Sequence, residues 1–88
     1  MYTFKLSEHL QEIMKRLSQK DKSLYERLLV KIQEIITSDS VEHYKNLRHN
    51  LKDSKRVHIG HFVLIFQYRQ KENTIIFDDF DHHDKIYK

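Results

Sequence analysis

Eighty-eight residues suffice for one small domain with a single core and leave no room for a second module. Apolar residues are 39% of the chain and charged residues 33%, a balance that suits a globular protein with a heavily solvated surface, and no apolar run is long enough to span a bilayer. The formal charge of +3, with seven histidines uncounted, and a pI near 9.2 favour polyanionic partners, while the absence of cysteine excludes a disulfide framework and a thiolate zinc site.

In chain order, Tyr2–Leu6 alternates and predicts a short first strand. The opening residues lack a signal-peptide layout, so a cytoplasmic location is expected. Ser7 is placed to cap a helix, with Glu8 in the first turn, where the helix dipole favours a negative charge. Leu10, Ile13, Met14 and Leu17 then recur at helical spacing. Ser18–Asp21 interrupts the stripe, and Asp21 can cap a second helix with Leu24, Leu28, Ile32, Ile35 and Ile36 inward and Arg27, Lys31 and Glu34 outward. Thr37–Ser40 ends it with side chains that compete for backbone hydrogen bonds. The two stripes read as the core faces of a helix hairpin.

After Ser40 the pattern changes to period two. His43–Arg48 predicts a weak strand and Lys55–Ile59 a better one, with Val57 and Ile59 on one face and Arg56 and His58 on the other. Gly60, the single glycine in a chain without proline, permits a tight connection to His61–Tyr68, the strongest strand pattern. Gln70–Asn73 is a polar turn, Thr74–Phe80 a last strand, and Asp81–Lys88 a short tail able to begin a turn of helix. The expected fold is α+β: an N-terminal strand, a helix hairpin, then an antiparallel meander covered on one face by the helices.

Charge is unevenly distributed. Lys45, Arg48, Lys52 and Lys55 lie in a stretch with one acid, Asp53; Arg56 and His58 follow, and acids gather at Asp78, Asp79, Asp81 and Asp84. Cations on an uncovered pleated face form a phosphate cradle, although a basic sheet face is often merely solvated. Asp78, Asp79, Asp81, His82, His83 and Asp84 resemble a metal-ligand set in composition. On a strand, however, Asp79 and Asp81 point one way and Asp78 and His82 the other, so four ligands would not converge and no metal or other cofactor is expected. The aspartates could hold Arg56 or the histidines in place, or favour protonation of one histidine. His9, His43 and His49 read as surface residues, Tyr25 and Tyr44 as core or interface aromatics, and Tyr68 as core packing.

The run Leu47-Arg48-His49, Leu51-Lys52 and Arg56-Val57-His58-Ile59-Gly60-His61-Phe62-Val63-Leu64-Ile65-Phe66 resembles the central pattern of the RelE/ParE toxin family: a leucine–basic pair, a strand of alternating basic residues, Gly-x-aromatic-Arg, and a hydrophobic strand ending in an aromatic. The tail His82-His83-Asp84-Lys85-Ile86-Tyr87 resembles the family's closing motif, a basic residue or histidine followed four or five positions later by tyrosine. With the helix hairpin, the resemblance covers nearly the whole chain as one RelE-like domain, 1–88.

The resemblance implies the toxin of a type II toxin–antitoxin pair, restrained by a cognate antitoxin and acting on mRNA in the ribosomal A site, with no membrane partner. In that chemistry the ribose 2′-OH attacks the adjacent phosphate, leaving a 2′,3′-cyclic phosphate and a free 5′-OH. It requires a base, a cation for the developing phosphate charge and an acid for the leaving oxygen, and in principle no metal. On that basis Arg56 would hold phosphate, His58 would act as base when neutral, His82 or His83 would be the acid, and Tyr87 would stack on or orient the nucleotide. Lys45, Arg48, Lys52, Lys55, His61 and Lys85 would bind RNA.

One departure stands out: the family's Gly-x-aromatic-Arg reads Gly60-His61-Phe62-Val63 here. Loss of a charged donor at such a site removes about 3 kcal/mol of transition-state stabilisation, about a hundredfold in rate. His61, two positions earlier, is expected to substitute in part if both residues lie on one strand face. The alternatives are a non-catalytic module of the same fold that binds RNA, the ribosome or a protein, and a ParE-like gyrase inhibitor; the tail histidines and Tyr87 lean against the last.

Overall fold

The computed structural model describes residues 1–46 and 54–87. Strand β1 (Thr3–Leu6) is followed by helix α1 (Glu8–Lys20) and helix α2 (Lys22–Ile36). Then come β2 (Ser54–Ile59), β3 (Phe62–Arg69), β4 (Thr74–His82) and a four-residue helix, α3 (His83–Ile86). No helix among the described residues is long and apolar enough to cross a membrane.

Capping explains how the helix hairpin starts and turns. Ser7 Oγ accepts from Leu10 N at 3.0 Å and donates to Asp78 O at 2.7 Å, so the cap of α1 is also tied to β4. Asp21 serves both helices: its N–H donates to Leu17 O at 2.9 Å, and its carboxylate accepts from Leu24 N at 3.1 Å. Helix α1 continues through Ser18–Lys20, where the apolar stripe stops as expected. These residues are exposed and polar, so they extend the helix without adding to its apolar stripe, and Asp21 alone forms the joint.

The sheet order is β1-β4-β3-β2. Strands β2, β3 and β4 form the expected antiparallel meander, whereas β1 pairs parallel with β4, from Thr3↔Thr74 to Leu6↔Phe77. The helix hairpin lies between β1 and the meander in sequence and supplies the crossover that a parallel pair needs. Its stripes, Leu10 and Met14 with Leu24, Leu28, Ile32, Ile35 and Ile36, pack on Leu64, Phe66, Ile75, Phe77 and Phe80. The α+β fold expected from the pattern is the one observed.

The weak strand over His43–Arg48 does not form across its described part. Val41–His43 is a single 3-10 turn, and Asn46 makes only an isolated bridge to Lys55. Buried Val41 and the Tyr44 ring, 5.7 Å from Phe66, hold this segment to the core as a turn rather than as a ladder. Residues 47–53, with Arg48 and Lys52, lie outside the described residues.

Candidate active site on the open sheet face

Alternation sorts the side chains of β2 and β3 between two faces. Lys55, Val57 and Ile59 stand opposite Phe66, Leu64 and Phe62 on the helix-covered side; Arg56 and His58 stand opposite Ile65 and Val63 on the other. The second face is not bare. Val63 is 0% exposed and Ile65 is buried, yet neither belongs to the core cluster beneath the helices. The tail turns back over this face: Ile86 and Ile65 line one groove, and Tyr87 lies over Arg56 and His58.

This return brings four of the expected residues together. The guanidinium carbon of Arg56 is 5.7 Å from the centre of the Tyr87 ring, within cation–π range. The His58 ring stacks with Tyr87 at 6.4 Å and lies 5.7 Å from His83, which is itself 4.7 Å from Tyr87. Arg56 is held in place, its Nε donating to Asn46 O at 3.2 Å and its N–H to Lys45 O at 2.9 Å. The pKa of His58 lies below the usual value of 6.5: desolvation lowers it most, and the positive charges of Arg56, His83 and Lys45 lower it further. An imidazole in that setting is neutral at physiological pH and can accept a proton. Lys45 is exposed beside this group.

The two tail histidines separate. His83 joins the cluster. His82 instead stacks with His61 at 6.2 Å, meets the edge of Phe62 at 5.5 Å, and caps α3 by accepting from Asp84 N at 3.3 Å. Of the two, only His83 lies beside His58 and Tyr87. His61 cannot take the part of the missing arginine by strand alternation, because it sits in the turn before β3 and its ring lies against His82.

Lys55 is a correction to the expected RNA contacts. It is 7% exposed on the core side of β2, and its Nζ donates to Tyr44 O at 3.2 Å and Asn46 Oδ1 at 3.3 Å. Alternation from Val57 and Ile59 already pointed it inward; its charge made it read as a surface residue. Lys85 is exposed but lines clefts with His9, Asp79 and Asp81, apart from Arg56 and His58.

The aspartates have individual structural partners. The pairing of β3 with β4 shifts between Ile65↔Asp79 and Phe66↔Phe77, leaving Asp78 as the extra residue of a bulge. Its carboxylate accepts from Gln67 Nε2 at 2.6 Å. Asp79 accepts from Phe80 N at 2.8 Å and meets His9 Nε2 at 2.9 Å, which gives His9 a role tying α1 to β4. Asp81 accepts from His82 N at 2.7 Å, and Asp84 lies 3.6 Å from His83 Nδ1 and 3.7 Å from His82 Nδ1. Among the described residues no group of three or more such side chains is arranged to hold a metal ion.

No protein-family model matches the chain. It is 47% identical over 89 residues to a Methanocaldococcus jannaschii protein named "Putative toxin RelE4", covering 100% of this chain and 93% of that one. The isolated E. coli RelE toxin superposes with a TM-score of 0.77 at 15% identity, covering 93% of this chain and 84% of that one. A chain of the intact E. coli RelBE toxin–antitoxin complex gives a TM-score of 0.76 at 15% identity, covering 93% of this chain and 96% of that one. The fold is thus that of RelE toxins. With the full-length relative at 47% identity, the chain belongs to the RelE toxin family.

Proposed function

We propose that this protein is the toxin of a toxin–antitoxin pair and cuts mRNA on the ribosome, in the cytoplasm, without a metal. The convergence of Arg56, His58, His83 and Tyr87 on one sheet face carries the reading. Neutral His58 takes the proton from the ribose 2′-OH as the 2′-oxygen bonds to phosphorus. Arg56 offsets the negative charge that grows on the phosphate oxygens. Protonated His83 returns a proton to the departing 5′-oxygen as the P–O5′ bond breaks. Tyr87 offers a ring on which a base can stack, and Lys45 supplies a further cation for the backbone.

The solved complex of E. coli RelE-fold toxin with antitoxin supports an antitoxin partner here. A second reading rests on Val63. With a fully buried valine where the family pattern has arginine, the face lacks one cation, which favours a slow enzyme or a binding-only module. Incubation with ribosomes programmed with a defined mRNA separates the two. Cuts ending in 2′,3′-cyclic phosphate support catalysis; bound but intact mRNA supports the module.

A further inference from the structure

The reaction scheme leaves the buried lysine of β2 unused. Lys55 is 7% exposed among Phe66, Tyr44 and the helix-covered face. Burying an ammonium is costly unless its donors are satisfied, and a methionine of similar length would fill the space without that cost. Stability alone therefore does not call for lysine at this position.

What Lys55 touches is informative. Its described partners, Tyr44 O and Asn46 Oδ1, belong to one three-residue segment that also forms the isolated bridge Asn46↔Lys55. The opposite face of β2 uses the same segment, because Arg56 Nε and Arg56 N donate to Asn46 O and Lys45 O. Lys45 in turn lies close enough to His58 for its charge to act there. The segment is thus gripped from the core side by Lys55 and read from the open side by Arg56.

We propose that Lys55 is a positioning residue, fixing Tyr44–Asn46 so that the Asn46 carbonyl aims the Arg56 guanidinium. The proposal rests on the catalytic reading of Arg56 given above. Displacing a charged group by about an ångström from its working geometry costs up to about a hundredfold in rate.

The test is Lys55→Met, made alone and in an Arg56→Ala background, with two readouts: mRNA cleavage on programmed ribosomes and the Arg56 Nε–H resonance by NMR. Lys55→Met alone should lower kcat about tenfold with less than about a twofold change in KM, and should change either value by less than about twofold once Arg56 is alanine. The Arg56 resonance should shift and exchange faster with water. Asn46→Ala, which removes one acceptor and leaves Lys55 in place, should move that resonance in the same direction. Equal losses in both backgrounds, or an unmoved Arg56 resonance in folded Lys55→Met, would overturn the proposal. If Lys55→Met does not fold, an unmoved resonance in Asn46→Ala overturns it. Failure of the unmodified protein to cut would remove the catalytic reading, while the resonance still decides whether Lys55 positions Arg56.

Discussion

Replacing the two tail histidines one at a time tests the site at its sharpest point. The residues are adjacent in sequence, but only His83 lies with His58 and Tyr87, at 5.7 and 4.7 Å between ring centres. His82 packs with His61 and Phe62 and caps α3. A general acid contributes about 10²- to 10⁴-fold in rate, so His83→Ala should lower single-turnover cleavage by at least about a hundredfold. His82→Ala removes a helix cap, worth about 0.5–2 kcal/mol, from a helix of four residues. That loosens the tail without deleting a proton donor, and the rate should fall by no more than about tenfold. The assay is cleavage of programmed ribosomes with saturating protein, each variant checked for folding by thermal unfolding. A hundredfold loss in His82→Ala with near-normal cutting by His83→Ala would refute the assignment.

The pH profile follows from the lowered pKa of His58. Its imidazole stays neutral as pH falls past 6.5, so the acid limb of the rate should lie below pH 6.5, and His58→Ala should abolish that limb; a limb above 6.5 would contradict the site's electrostatics. The sign for stability is the same: below 6.5 the unfolded chain takes up the proton first, so folding should weaken as pH drops, which urea titrations at pH 7 and pH 5.5 would detect. Phe66→Ala empties a fully buried position packed on Tyr44 and Phe77, and chemical denaturation should show a loss of about 3–5 kcal/mol. Gly60 adopts φ +61, where an added Cβ would meet only the Arg27 guanidinium at 3.5 Å. Gly60→Ala should therefore cost about 1–2 kcal/mol from backbone strain, with no clash to relieve by shortening Arg27.

The helices and the meander were legible because their signals are local. Ser7 and Asp21 are capping residues at the right spacing, and the stripes from Leu10 to Ile36 repeat at the helical period. The parallel pairing of β1 with β4 was not legible, since nothing in Thr3–Leu6 names a partner seventy residues away. The strand expected at His43 failed because alternation in a short segment cannot outweigh the burial of Val41 and the packing of Tyr44 on Phe66.

The site was half legible. Arg56 and His58 follow from alternation beside Val57 and Ile59, and the same rule would have turned Lys55 inward had its charge been set aside. The split between His82 and His83 depends on where β4 stops and α3 begins, one residue beyond any pattern in the tail. The aspartates were opaque for a related reason. The bulge at Asp78 resets the faces of the residues after it, and their partners Gln67 and His9 are distant in sequence.

The proposed RNA-cutting site of Arg56, His58 and His83 needs no metal ion of its own. It is tested by end-group analysis of mRNA from programmed ribosomes incubated with excess protein, with and without a transition-metal chelator, at matched free magnesium. Ends bearing 2′,3′-cyclic phosphate and 5′-OH should form in both buffers, at sharply lower rates in Arg56→Ala and His58→Ala. Intact mRNA with the unmodified protein, or cuts that persist undiminished in both variants, would contradict the proposal.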